Sequence, residues 1–202
     1  MRTRTLITLT VIMAAAIVGG CGSKQQQVHS GFLSDYTKLQ EESKSFFSYF
    51  NEAAMSKYSA FIIDPVKTKI YSNDESKGKL TQEQLTDLTN YMHVKIVEAF
   101  QGAGKKIAYQ PADGVARVRV ALTDIQKTHA INMLPQASLM GAGIGGASME
   151  AEVVDSMTGQ QIGAVVQSKL GSRIPFANLG DWTAAKKVMD AWGKRFQKRL
   201  SE

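Results

Sequence analysis

Two periodicities divide the chain. Leu85, Leu88, Met92, Ile96, Ala99 and Phe100 recur at helical spacing, which predicts a helix with one buried face. Thr81-Gln82-Glu83-Gln84 fits a capping box ahead of it, and Gly102 and Gly104 end it. A second stripe, Trp182, Ala185, Val188, Met189, Trp192, Phe196 and Leu200, predicts a last helix capped by Asp181. Elsewhere the period is two. Val118, Val120 and Leu122 face one way and Arg117 and Arg119 the other, and Met149, Ala151 and Val153 alternate with Glu150 and Glu152. Asp155 to Gly159 then reads as a hairpin loop, with Ile162, Ala164 and Val166 returning. Shorter strands are predicted at Ala60 to Ile63, interrupted by Pro65, at Val66 to Tyr71, and at Lys106 to Gln110 before a turn at Pro111 to Gly114. Phe32, Tyr36 and Leu39, then Phe46, Phe47, Tyr49 and Phe50, predict an N-terminal arm packed on the sheet, with an aromatic binding patch as the alternative. This order of elements predicts a single α+β domain, a mainly antiparallel sheet with two helices packed on one face.

The first twenty residues follow neither period. Arg2 and Arg4 precede an uncharged apolar run, Leu6 to Val18, and then Gly19, Gly20 and Cys21. The run falls well short of the ~20 residues that a membrane-spanning helix needs, so it reads as an export signal. With its cysteine the segment resembles a bacterial lipobox. That resemblance implies a lipoprotein signal peptide over residues 1–20, cleavage after Gly20, and lipid, palmitate included, on Cys21 and its new amino terminus. Several acyl chains on one residue hold a protein to a bilayer, whereas one chain binds only marginally. Because Gly22 rather than aspartate follows the cysteine, the sorting scheme of such lipoproteins implies the cell outer membrane, with the domain facing the periplasm. Residues 21–30, with Gln25 to Gln27 and no apolar cluster, read as a flexible tether. Nine extended residues reach about 30 Å. Residues 31–202 are left for the domain.

Composition narrows the function classes. Twenty-four Lys and Arg stand against 18 Asp and Glu, a formal charge of +6 that drops by two with the signal. A mild basic balance suits anionic lipid heads or acidic partners and gives no reason to expect nucleic acid. Cys21 is the chain's one cysteine, so with the thiol acylated, disulfides, thiol catalysis and cysteine metal ligands are excluded.

Three stretches carry a further resemblance. Ser30-Gly31-Phe32-Leu33-Ser34-Asp35-Tyr36 with Leu39, the segment Ser56 to Val66, and Met149 to Gly159 ending in Val-Val-Asp-x-x-Thr-Gly are similar to signatures of the bacterial lipoproteins of the domain of unknown function 3313 family. The family is uncharacterised, so it implies location and architecture and carries over no catalytic residue.

Candidate chemistry is sparse. The arginines and glutamates of the long strands are expected on one exposed sheet face, as cross-strand pairs contributing a few tenths of a kcal/mol each. The alternative is acid–base work by Glu150 and Glu152, or a hydrolase using Asp113, Asp124 or Asp155. His29, His93 and His129 show no metal-site spacing, and no cofactor is implied. Leu139 to Ala147 is glycine-rich, but it leads into a strand and lacks the Lys-Ser/Thr ending of a phosphate cradle. It reads as a connecting loop, or as a loop in which Leu139, Met140 and Ile144 touch a membrane or partner. Lys194, Arg195, Lys198 and Arg199 sit late in the last helix, where cations suit the helix dipole, or else meet an anionic surface. The leading expectation is a non-catalytic outer-membrane lipoprotein that binds or scaffolds an envelope protein. The alternatives are a carrier of an apolar or amphipathic ligand in a groove beneath the helices and, last, a periplasmic hydrolase.

Overall fold

The computed structural model describes residues 29–70, 80–127, 145–171 and 182–201. Cys21 and the Gly20 cleavage point, the polar loop 73–79, His129, the glycine-rich residues Leu139, Met140 and Ile144, and Asp181 lie outside the described residues.

Eight strands form one sheet: β1 (Gln40–Ser43), β2 (Phe46–Phe50), β3 (Ala60–Ile63), β4 (Lys67–Thr68), β5 (Lys106–Ile107), β6 (Val115–Gln126), β7 (Gly146–Asp155) and β8 (Gln161–Leu170). Among the described residues three helices accompany it, the short α1 (Glu52–Met55), α2 (Gln82–Gly102) and α3 (Thr183–Ser201). The order across the sheet is β1-β2-β8-β7-β6-β3-β5, with β4 also pairing β6. The α+β class stands, and the two long helices share one face, contributing Met92, Ile96, Met189 and Trp192 to the same core as Val118, Leu122 and Met149.

The sheet is mixed. β1 to β2, β2 to β8, β8 to β7 and β7 to β6 pair antiparallel, while β3 runs parallel to both β5 and β6 and β4 runs parallel to β6. The physical reason is α2. A 21-residue helix between β3 and β5 is long enough for a crossover, which returns the chain in the same direction. Phe46 to Phe50 also departs from expectation, since it is a strand of the sheet rather than part of an arm laid on it. Among the described residues only Lys67–Thr68 of the segment after Pro65, and only Lys106–Ile107 of the segment before Pro111, pair as strands.

Local chemistry accounts for the ends. Thr81 N–H donates to Gln84 Oε1 at 3.0 Å and Gln84 N–H to Thr81 Oγ1 at 3.2 Å, completing the capping box. In the β7–β8 hairpin, Asp155 Oδ1 accepts from the amides of Met157 (2.9 Å) and Thr158 (2.7 Å) and from Thr158 Oγ1 (2.9 Å). Gly159 follows at φ 73°, a left-handed position where a side chain is strained. This explains the Val-Val-Asp-x-x-Thr-Gly spacing: the carboxylate gathers the turn's amides and the glycine closes it.

The two long helices approach closely at Gly193, where an added Cβ would lie 3.3 Å from Lys95 O and 3.4 Å from Lys95 Cβ. Tyr91 Oη donates to Asp190 Oδ1 at 2.7 Å across the same interface. Gly193→Val is expected to push the helices apart and cost about 1–3 kcal/mol, readable by urea denaturation. An unchanged midpoint would show that the interface yields without cost.

Candidate functional site

The second face of the sheet is partly covered. The arm from Ser30 to Leu39 crosses it, burying Leu33 against Ala164 and Val166 with Phe32, Tyr36, Leu39 and Phe47 around them. Beneath the arm lie Glu150 and Glu152, each only 1% accessible. The expectation of an exposed face of cross-strand pairs is therefore corrected. Arg119 does face Glu152 across the β6–β7 ladder and donates to its Oε1, but the carboxylate is buried. Arg117 pairs instead with Asp64 of the β3 end at 2.7 Å.

Burying two carboxylates is costly unless their oxygens are met by donors. The arm supplies them. Ser30 gives its amide to Glu150 Oε1 (2.9 Å) and its hydroxyl to Oε2 (2.8 Å), and the Tyr36 hydroxyl donates to the same Oε2. Ser34 gives its amide (3.0 Å) and hydroxyl (2.7 Å) to Glu152 Oε2, which also accepts from Gln161 Nε2 at 2.9 Å. Gln161 ties back to the arm through Asp35 O at 3.0 Å. The Tyr36 oxygen in turn accepts from the amides of Phe32 (2.9 Å) and Leu33 (3.1 Å), curling the arm into a loop. Burial, and then the hydrogen bond to Glu150, push the Tyr36 phenol up from its ordinary value. Asp35 is held below the usual carboxylate range by the hydroxyl and amide of Thr37. Thus Ser-Gly-Phe-Leu-Ser-Asp-Tyr is a clasp: its serines and tyrosine fasten the start of the domain to β7. The two glutamates are committed to donors rather than turned toward a cleft.

The aspartates do not gather into a site. Asp155 is at the β7–β8 turn, opposite Ala116 at the start of β6, and Asp124 is eight residues further along that strand, about 26 Å away. Asp113 lies in the turn before β6. Among the described residues there is no group of three or more His, Cys, Asp or Glu that could hold a metal ion.

The other distinctive place is a groove between α3 and β2. Phe46, Ser48 and Phe50 project from one side of β2, Met149 and Val165 form the floor, and Trp192 and Phe196 come from α3, enclosing about 260 Å3. A second space of about 60 Å3, with apolar exposed surface, adjoins it and shares Phe50, Val165, Phe196 and Arg199. Gly163 lines this second space. A Cβ there would strike Phe50 Cδ1 at 2.8 Å, so the missing side chain is what lets Phe50 lie where it does. Of the four cations expected to meet an anionic surface, Arg195 and Arg199 border the groove. The Arg195 guanidinium lies 4.9 Å over the Phe46 ring and that of Arg199 5.4 Å over Phe50. Arg199 donates to Glu52 at 2.8 Å, and Arg195 reaches Gln167 Oε1 at 3.4 Å. Glu42 stands at the rim, accepting from Ser48 Oγ at 3.0 Å. Phe46 and Phe50 are legible in the sequence as part of an arm or an aromatic patch, whereas their place with Ser48 on one face of a strand is not. Their alternation with Phe47 and Tyr49 was the available signal, since period two assigns them to one face of a strand.

Two tyrosines give the fold a pH signature. Burial, and then hydrogen bonds to Asp155 and Asp190, raise Tyr58 and Tyr91 from 10.0 to about 12. Unfolded phenols ionise near 10, so the contribution of these groups to stability is complete below pH 10 and is lost as pH rises toward 12. Asp155 shows the opposite sign. The amide of Thr158 and the Tyr58 hydroxyl lower it from 3.8 to about 2, so its contribution is present above pH 4 and disappears as pH falls through 2. Spectrophotometric titration is expected to show Tyr58 and Tyr91 ionising above pH 11, with Tyr58→Phe removing one such group. Ionisation of every tyrosine by pH 10.5 in the folded protein would contradict these contacts.

Residues 28–196 match the family described as "Protein of unknown function (DUF3313)". No curated protein matches the sequence. Among solved structures, two forms of the PelC dodecamer from Paraburkholderia phytofirmans are similar. One has 12% identity over 76% of this chain and 96% of that chain at TM-score 0.48. The other has 8% identity over 78% and 96% at TM-score 0.49. A Xanthomonas campestris protein of the DUF330 family is similar at 12% identity over 71% of this chain and 81% of its own, TM-score 0.42.

Proposed function

We propose, from the premise that this chain belongs to the DUF3313 family, that it is a non-catalytic lipoprotein held at the cell outer membrane through acylated Cys21, binding or scaffolding an envelope protein. The observation that carries this reading is the clasp. Its buried glutamates are used to fasten Ser30, Ser34 and Tyr36 to the sheet, so the most chemical-looking pair in the sequence has a structural task. The same clasp ties the start of the domain to β7 close behind Cys21 in the chain. Ser30 is nine residues from Cys21, so the arm-covered face stays within about 30 Å of the lipid attachment. Among the described residues no helix is long and apolar enough to cross a membrane, and the acyl chains would supply the attachment. Crosslinking in living cells followed by purification is expected to enrich one envelope protein reproducibly. Recovery of the uncrosslinked chain alone, from cells in which it is abundant, would sink the scaffolding role.

The second reading, a carrier of an apolar or amphipathic ligand, is favoured by the groove beneath α3, whose aromatic walls open onto two arginines.

A further inference from the structure

We infer that the α3–β2 groove takes the hydrocarbon chain of a long-chain carboxylate, with its head at Arg195. This rests on the carrier reading and names its ligand. The groove and the second space share Phe50, Val165, Phe196 and Arg199, so a partly polar groove adjoins a space whose exposed surface is apolar. That gradient matches a molecule with one charged end and one hydrocarbon end. The volumes, about 260 and 60 Å3, suit one chain rather than a two-chain lipid.

The charge of the mouth selects the head. Arg199 is engaged by Glu52, and Glu42 accepts from Ser48. Arg195 pairs with no carboxylate among the described residues, and its hydrogen bond there is the long 3.4 Å contact to an amide oxygen. Its guanidinium is nevertheless held in place by the Phe46 ring. A planar fork, oriented but without a carboxylate, is suited to a bidentate carboxylate. One helical turn earlier, Trp192 keeps its indole N–H buried without a partner among the described residues. Such donors are normally satisfied; this one is sealed in the core, while the side chain that carries it lines the groove.

Trp192 also supplies the test, because brominated acyl chains quench an indole they touch. In the full chain carrying Cys21→Ser and Trp182→Phe, Trp192 is the sole tryptophan. Titration with 9,10-dibromostearate is expected to quench it saturably. The methyl ester, which lacks the charge, and the Arg195→Gln variant should each bind at least ~10-fold more weakly, the scale of one charge-assisted contact. Circular dichroism checks that the variant, altered at an exposed position, remains folded. Equal affinity for acid and ester, unchanged in Arg195→Gln, would overturn the carboxylate head while leaving the groove as a binding site. No quenching by either compound would overturn the carrier reading itself.

Discussion

Glu152→Ala is expected to lower stability by about 3 kcal/mol, the low end for breaking a buried ion pair, because the Arg119 half is partly exposed. The Glu152 side chain is fully buried and that of Arg119 37% accessible. Removing the carboxylate takes the acceptor from four donors at once: the Arg119 guanidinium, the Ser34 amide and hydroxyl, and Gln161 Nε2, which keeps its bond to Asp35 O. For a chain of this size the melting temperature should fall by roughly 10 °C. The same variant should free the arm, so that trypsin cuts at Lys38, an exposed position, faster than in the wild type. Glu152→Gln keeps the shape and one acceptor oxygen and should lose about half as much. A Glu152→Ala protein that melts within 2 °C of wild type and resists trypsin would mean that the arm is held by Leu33 and its apolar neighbours alone.

Trp192→Ala is the second large effect, at about 4 kcal/mol, within the range for deleting a buried aromatic side chain. Trp192 is 1% accessible and belongs to the central core with Met92, Ile96 and Met149. It is also the point at which α3 meets both α2's core face and the floor of the groove. The loss should appear in urea denaturation as a lower midpoint. Trp192→Phe should recover more than half of it, since most of the apolar volume returns. A loss under 1 kcal/mol would show that α3 is only loosely docked.

Much of this architecture is legible in the residues. Thr81 and Gln84 mark the start of α2 because a capping box needs those side chains at that spacing, and Leu88, Met92, Ile96 and Phe100 turn inward as their period requires. Asp155 and Gly159 mark the hairpin for equally local reasons. What could not be read locally is which neighbour a strand takes. β3, only four residues long, gives no sign that it pairs parallel with β6 across a helical crossover. Glu150 and Glu152 show the same limit more sharply. Alternation assigns them correctly to the face opposite Met149 and Ala151, but polar residues on a strand ordinarily mean solvent. Their burial comes from a segment more than a hundred residues earlier, Ser30 to Tyr36, which covers them. The motif itself was visible, whereas its partners on β7 were not. In the candidate groove, Arg195 and Arg199 were legible as a cationic end of α3 and the strand that faces them was not.

Attachment to the outer membrane depends on lipid at Cys21. Palmitate labelling with membrane fractionation, performed on the wild type and on Cys21→Ser side by side, tests this directly. The wild type should take up label and sediment with the outer membrane, and the variant should be unlabelled and released from it. A wild-type protein that is unlabelled and soluble, or a Cys21→Ser protein that still fractionates with the outer membrane, would contradict the account.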